Sequence, residues 1–100
     1  MSKMEKRDEI KGFWEQGPPM GFIGENLSYE EKRQFRYSLQ DYMHAIFQFE
    51  KFAGNKVLEI GSGGGIDSAE FARNGASVIS ADFTEIGVQT TKALLKEANL

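Results

Sequence analysis

The chain has 100 residues, of which 40% are hydrophobic and 12% aromatic, and its formal net charge is −3. This length suits one small domain, and this composition is typical of a globular chain rather than a disordered one. The acidic balance offers no basic surface for nucleic acid or an anionic membrane, and no apolar run approaches the roughly 20 residues of a membrane span. Zero cysteines and one histidine predict no disulfide and no metal site, and fit a cytoplasmic protein.

Residues 1–27 are predicted to be a lead-in to the domain. The first 12 residues are mostly charged, which does not fit a secretory signal and predicts a frayed or loosely helical terminus. The segment from Gly17 to Gly21 contains two prolines and cannot form a helix. Large apolar residues such as Trp14 and Phe22 flank this Pro/Gly loop, so it either packs onto the domain as a flap or lines a substrate pocket.

Residues 28–55 are predicted to form one helix or two helices that cover the domain. Ser28 is followed three residues later by Glu31, which is the capping-box pattern that begins a helix. Large apolar residues then recur at spacings of three and four and predict one apolar stripe, formed by Phe35, Leu39, Tyr42, Met43, Ile46, Phe47 and Phe49. The pattern is long for one helix, so we expect a break near residues 36–38, and Gly54 suits a left-handed cap at its end.

Residues 56–100 begin with the pattern of a strand, a glycine turn and a helix. The strand around Val57 to Ile60 is short and nearly all apolar, as expected of a strand buried on both faces. A run of glycines follows, and Ile66 to Asn74 then has helical composition. Asp67 or Ser68 could cap this helix by accepting from free backbone N–H groups.

A second strand and a last helix complete the predicted elements. Ser77 to Asp82 is β-branched at its centre, which favours a strand, and Thr84 can cap the helix that follows. Two strands joined by a short helix form a right-handed crossover unit, which makes the strands parallel. The fold class is therefore predicted to be α/β: a helical N-terminal segment followed by a β-α-β-α unit.

The string VLEIGSGGG joins the first strand to the glycine turn. It contains an acid followed by three alternating glycines, at Glu59, Gly61, Gly63 and Gly65. A dinucleotide fingerprint would require a third glycine where Ile66 stands. The pattern resembles the first motif of class I S-adenosylmethionine-dependent methyltransferases. Glycine lets a ligand approach the main chain closely, and the acid would repel a pyrophosphate but suits a ligand carrying an ammonium and a sulfonium. The alternative is an ordinary glycine-rich turn.

Asp82 closes the second strand and indicates an adenosine ligand. Its carboxylate is acceptor-only with two oxygens, so it can accept both hydroxyls of a ribose. Dinucleotide-binding enzymes also bind the ribose through an acid at this position, so Asp82 indicates an adenosine ligand without identifying the cofactor. The alternative is a strand-end acid in a turn.

The resemblance covers about residues 30–100, is tightest over 56–86, and looks closest to the bacterial small-molecule type of this family. It implies a Rossmann-like sheet whose glycine loop (Gly61, Ser62, Gly63 and Gly65) packs against the methionyl part of S-adenosylmethionine. It further implies that Glu59 holds the amino group, that Asp82 binds the ribose and that Phe83 lies near the adenine. Arg36 and Tyr37 are candidates for the methionyl carboxylate, although Arg36 could equally be a solvated helix charge.

The chain departs from this family in extent. It has two predicted strands, and the segments that would bind the adenine and the methyl acceptor in this family are absent. We therefore hypothesise that the chain is an incomplete domain, from the N-terminal portion of a longer protein. The predicted function is methyl transfer to a small-molecule acceptor, with this chain as the cofactor-binding part and inactive alone. Two alternatives are a non-catalytic S-adenosylmethionine-binding module and a nicotinamide-dependent oxidoreductase. We assign no catalytic residue, acceptor or oligomeric state.

Overall fold

A computed structural model of the chain describes residues 3–14 and 26–100. The elements in chain order are helix α1 (Lys3–Trp14), helix α2 (Tyr29–Leu39), helix α3 (Met43–Phe47), a 3-10 helix (Phe49–Phe52), strand β1 (Lys56–Ile60), helix α4 (Ile66–Arg73), strand β2 (Ser77–Ala81) and helix α5 (Glu85–Glu97). The predicted α/β class with helices before a β-α-β-α unit is confirmed. The predicted Pro/Gly loop lies outside the described residues. No helix within the described ranges is long and apolar enough to cross a bilayer.

The two strands pair in parallel, with Val57 opposite Val78 and Ile60 opposite Ala81. Helix α4 makes the crossover, and it packs with α5 on one face of the sheet. The side chains on the other face are open to solvent: 62% of Leu58, 80% of Ile60 and 67% of Ile79 is exposed. The prediction that the first strand is buried on both faces is therefore wrong for the described part of the chain, because both helices that follow the strands pack on the same face.

The hydrophobic core lies between α4 and α5. Ile66 and Ala69 of α4 contact Leu94 of α5, and partly buried Tyr29, Tyr37 and Leu95 pack around them. A second, aromatic layer surrounds the fully buried Phe49, whose ring centroid lies 4.6 Å from that of Phe71 and 5.1 Å from that of His44. The lone histidine thus packs among aromatic rings.

Helix α2 meets α4 through charged side chains. Arg33 donates from Nε and Nη2 to the carboxylate of Glu70, at 2.7 and 3.2 Å. Only 1% of Glu70 is exposed, while 24% of the Arg33 side chain is, so this ion pair joins the two helices through a buried carboxylate. Arg33 is therefore half of a contact between α2 and α4 and not a freely solvated helix charge.

The single apolar stripe predicted for residues 28–55 is wrong. Met43 and Phe49 are buried, but 65% of Leu39, 51% of Tyr42 and 67% of Ile46 is exposed. The reason is that α2 ends at Leu39 and the chain turns before α3 begins, later than the expected break at 36–38. The apolar side chains before and after this turn therefore do not share one helical face.

Most predicted helix ends are confirmed, because they depend on neighbours in the sequence. The backbone N–H of Glu31 donates to Ser28 Oγ, and that of Ser28 donates to Glu31 Oε1, which completes the capping box. Gly54 is left-handed, with φ +81°. The prediction that Asp67 or Ser68 caps α4 is wrong: α4 begins at Ile66, behind a left-handed Gly65, so both polar residues lie inside the helix.

Candidate functional site

A cleft of about 470 Å³ opens at the carboxyl ends of both strands, where open α/β sheets bind ligands. Its lining comprises Arg36, Glu59, Gly61, Ser62, Gly63, Gly64, Gly65, Ile66, Asp67, Asp82, Phe83, Thr84 and Gly87. All the predicted site residues except Tyr37 are among them. The structure thus brings together both strand ends, the glycine loop and the first turns of α4 and α5.

The loop of residues 61–65 alternates left-handed glycines with other residues. Gly61, Gly63 and Gly65 have φ of +77°, +55° and +83°, a region that side chains disfavour. A Cβ on Gly65 would also lie 2.8 Å from Thr91 Cγ2, so this position requires glycine for space as well as for φ. The N–H groups of Gly61 and Ser62 donate to the carbonyl of Ala81, at 2.7 and 3.2 Å, and this ties the loop to the end of β2.

Thr91 supports the same loop from helix α5. Its side chain is buried, its hydroxyl donates to the carbonyl of Gly63 at 3.2 Å, and the hydroxyl of Ser62 lies 3.3 Å away. No local sequence pattern indicates this contact, because the two partners lie 28 residues apart. Thr91 therefore fixes the orientation of one loop peptide.

Asp82 links the glycine loop to the start of α5. Among the described residues, its Oδ2 accepts the N–H of Gly63 at 2.8 Å, and its Oδ1 accepts the N–H and the hydroxyl of Thr84 at 2.9 and 2.8 Å. Thr84 also caps α5 as predicted, because its hydroxyl oxygen accepts the N–H of Gly87 at 3.0 Å. Burial alone would raise the pKa of Asp82, but the hydrogen bonds from Thr84 and Gly63 outweigh it and lower the pKa below its usual value.

Glu59, two residues before the loop, also lines the cleft and is half-buried. The hydroxyl of the fully buried Ser68 lies 2.5 Å from Glu59 Oε1 and 2.9 Å from Ser80 Oγ. Burial raises the pKa of Glu59, and the hydrogen bond from Ser68 only partly offsets this effect. An ionised Glu59 is therefore incompletely compensated by the protein and would gain from a cationic ligand.

Arg36 reaches the cleft from helix α2 and is held by other side chains. Its Nη2 donates to Asp67 Oδ2 at 2.8 Å, and its Nη1 donates to Gln40. The hydrogen bond with Asp67 raises the pKa of Arg36, which stays charged. Tyr37 lies behind this pair and donates its hydroxyl to Asp67 Oδ1 at 2.8 Å, and burial with the nearby Asp67 charge raises its pKa.

The charges that line the cleft do not cancel. Three carboxylates (Glu59, Asp67 and Asp82) stand against one guanidinium, that of Arg36. The field in the cleft therefore favours a ligand with positive charge and opposes a pyrophosphate. Asp67 was expected as a helix cap rather than as part of this site; its position two residues after the last loop glycine is the local signal that could have placed it here.

Phe83 stands at the mouth of the cleft with 47% of its surface exposed. The guanidinium carbon of Arg7, on α1, lies 5.8 Å from the centroid of its ring, within reach of a cation–π interaction. The N-terminal helix is thereby brought beside the cleft, and Phe83 presents an apolar surface at the cleft mouth.

The structure thus has a partial Rossmann-like fold with a cleft at the carboxyl ends of its parallel strands. Over 53 residues the chain is 42% identical to the ubiquinone biosynthesis O-methyltransferase, mitochondrial, of Schizosaccharomyces pombe. This match covers 52% of the chain and 19% of that relative, so it is a distant and partial homology to an O-methyltransferase. No family model matches the chain, and no solved structure matches it.

Proposed function

We propose that this chain is the S-adenosylmethionine-binding N-terminal part of a class I methyltransferase of the bacterial small-molecule type. The observation that carries the proposal is the cleft itself, in which Glu59 and Asp82 line the same space as a left-handed glycine loop in a net negative field. An acceptor-only carboxylate suits a ribose, and a half-buried carboxylate suits an ammonium. The partial homology to an O-methyltransferase supports the same reading.

Each part of the cofactor has a partner of matching chemistry in this proposal. Asp82 accepts hydrogen bonds from the ribose, and the exposed ring of Phe83 packs on the adenine. The glycine loop, residues 61–65, contacts the methionyl chain, where missing Cβ atoms permit a close approach. Glu59 binds the ammonium. Arg36 binds the methionyl carboxylate with the donor hydrogens that Asp67 and Gln40 leave available.

Tyr37 has an indirect role in the proposed site. Its hydroxyl donates to the carboxylate of Asp67, which in turn orients the guanidinium of Arg36. Because its pKa is raised, Tyr37 stays protonated and keeps donating at physiological pH. We therefore propose that Tyr37 positions Arg36 and does not itself touch the cofactor.

The proposed chemistry requires binding and orientation from this part of the protein. When bound, S-adenosylmethionine supplies a methyl group already activated by the sulfonium, so correct placement beside an acceptor gives most of the acceleration. Residues of the cleft hold the cofactor in one orientation, and the open side of the cleft faces the acceptor. We assign no catalytic residue, and we propose that these 100 residues alone are inactive.

The acceptor and the compartment are also proposals. The partial relative is named as an O-methyltransferase of ubiquinone biosynthesis, which supports a small-molecule acceptor for this chain as well. The net charge of −3 favours neither DNA nor RNA. The absence of cysteine from the sequence supports a cytoplasmic location.

Calorimetric titration of the chain with S-adenosylmethionine tests the proposal, beside Asp82→Ala and a titration with NAD. We expect binding of S-adenosylmethionine that Asp82→Ala weakens by roughly 10- to 100-fold, because hydrogen bonds to a charged acceptor are lost. The matched control is Asp41→Ala, at an exposed acid in the turn between α2 and α3, which should leave the affinity unchanged. Binding of NAD without S-adenosylmethionine would instead favour a nicotinamide-dependent enzyme.

Product formation separates the proposed enzyme from a non-catalytic S-adenosylmethionine-binding module. The chain spans 19% of its partial relative, so a binding role without transfer fits these residues taken alone. Methyl transfer by a longer polypeptide that contains them, lost on Asp82→Ala, would support the methyltransferase. Tight binding with no transfer to any acceptor would support the module.

A further inference from the structure

Gly87 lies in the first turn of α5 against the carboxylate of Asp82. A Cβ at this position would lie 2.8 Å from Asp82 Oδ2, and closer still to Cγ and Oδ1. Real Cβ atoms are not found at such distances, so any side chain at position 87 must displace the carboxylate. Gly87 is buried and lines the cleft, although nothing in the sequence pattern marked it as a site residue.

We propose that Gly87 is a positioning residue that, by lacking a side chain, keeps the Asp82 carboxylate in place for the hydroxyls of an adenosine ligand. This inference deepens the proposed function and rests on it for the identity of the ligand. The backbone of Gly87 gives no other reason for glycine, since it lies inside a regular helix. Alanine there would favour the helix by conformational propensity. Alanine is excluded at position 87 because its methyl group would overlap the carboxylate of Asp82.

The backbone N–H of Gly87 contributes to the same arrangement. It donates to Thr84 Oγ1, the Thr84 hydroxyl donates to Asp82 Oδ1, and Asp82 Oδ2 accepts the N–H of Gly63. This chain of hydrogen bonds runs from the first turn of α5 through the carboxylate into the glycine loop. A carboxylate pushed away from Gly87 would therefore lose its contacts with Thr84 and Gly63 as well as its position in the cleft.

Thermal unfolding of four chains tests the contact without a ligand: the wild type, Gly87→Ala, Asp82→Ala and the double variant. We expect Gly87→Ala to lower Tm in the wild type, because the methyl group displaces a hydrogen-bonded carboxylate. In the Asp82→Ala background the same change should raise Tm by a few degrees, because only the gain in helix propensity remains. The control Gly12→Ala, whose Cβ would meet nothing within 4 Å, should raise or keep Tm in both backgrounds.

Gly87→Ala is thus expected to lower Tm in the wild type and to raise it in the Asp82→Ala background. A general packing role for Gly87 would not produce this change of sign. An increase of Tm by Gly87→Ala in the wild type equal to that in the Asp82→Ala background would overturn the proposal. If Gly87→Ala alone does not fold, recovery of a cooperative transition in the double variant supports it. Failure of both Gly87→Ala chains to fold, with Asp82→Ala folded, overturns it.

Titration with S-adenosylmethionine gives the second readout. Gly87→Ala should weaken binding about 10-fold or more, and it should add less than about twofold to the loss caused by Asp82→Ala, because both act through one carboxylate. A similar loss in both backgrounds would mean that the methyl group blocks the ligand directly, and would overturn the positioning role. No binding by the folded wild type would reject the proposed function, while the melts still decide whether Gly87 positions Asp82.

Discussion

Glu59 and Asp82 line the same cleft, but the protein favours the protonated form of Glu59 and the ionised form of Asp82. Burial raises the pKa of Glu59 above its ordinary 4.5, so the protein without ligand disfavours the ionised carboxylate. The folded state therefore loses stability as pH rises from 4.5 through the raised pKa of Glu59. The net effect on Asp82 lowers its pKa below 3.8, so its stabilising contribution is present above that value and is lost as pH falls through the lowered pKa. The two acids therefore have different parts in stability and in binding.

Glu59→Gln is expected to raise Tm at pH 7 and to weaken binding of S-adenosylmethionine about 10-fold, because the uncharged amide removes the buried charge but cannot pair with an ammonium. The gain in Tm should shrink toward pH 4, where Glu59 of the wild type is itself protonated. Thermal melts at both pH values and calorimetry at pH 7 measure these effects. Glu50→Gln, at an exposed acid in the 3-10 helix, is the control and should change neither quantity. A lower Tm at pH 7 together with unchanged affinity would contradict this account of Glu59.

At the scale of elements, an ion pair joins the helices α2 and α4. The carboxylate of Glu70 is 1% exposed and depends on Arg33 for its charge partner. Asn74 donates to Glu70 Oε1 at 3.4 Å, and His44 Nε2 lies 3.6 Å from Glu70 Oε2. By contrast, the pair of Arg73 and Glu30 lies at the surface, where water compensates both charges. The nitrogen–oxygen distances of the two pairs are similar, 2.7 Å for Arg33–Glu70 and 3.1 Å for Arg73–Glu30. We nevertheless expect loss of Arg33 to destabilise the fold far more than loss of Arg73, because only Glu70 is buried.

Arg33→Met should lower the free energy of unfolding by about 3 kcal/mol, because it leaves a buried carboxylate without its partner. Arg73→Met is the matched control and should have no measurable effect. Chemical denaturation of both variants measures the difference. Replacing Glu70 as well, in Arg33→Met/Glu70→Leu, should recover most of the loss, since the unpaired charge is then gone. Equal effects of the two single substitutions would show that burial of Glu70 does not govern this contact.

The same contacts explain how far the sequence predicted the structure. The capping box at Ser28, the cap at Thr84 and the glycine loop were predictable because each depends on residues within a few positions of one another. The pairing of Arg33 with Glu70 joins residues 37 positions apart, so no local sequence pattern predicts it. Likewise, the strand pattern VLEI predicted a strand, but whether its second face is covered depends on which elements pack there.

At the scale of the whole molecule, the sheet formed by the described residues has one face covered by helices and one open face. Helices α4 and α5 cover the side that carries Glu59 and Ser80, whereas Leu58, Ile60 and Ile79 form an aliphatic surface on the other side. In the part of the chain that the structure describes, β1 and β2 make a two-stranded sheet, so each strand also has an unpaired edge. Exposed aliphatic surface beside open strand edges favours association between copies.

We expect the 100-residue chain to associate as its concentration rises, and Ile60→Lys to shift that association to concentrations at least about 10-fold higher. A lysine on this face both removes aliphatic surface and places a charge beside the strand edge. Ile46→Lys is the control, because Ile46 is 67% exposed but lies on helix α3 and not on the sheet. Sedimentation velocity over a concentration series measures the effect. A monomer at every concentration, or an equal shift from both lysines, would show that the open face of the sheet does not drive association. Although Ile60 ends β1, its side chain does not line the cleft, so Ile60→Lys should leave the affinity for S-adenosylmethionine unchanged even where it abolishes association.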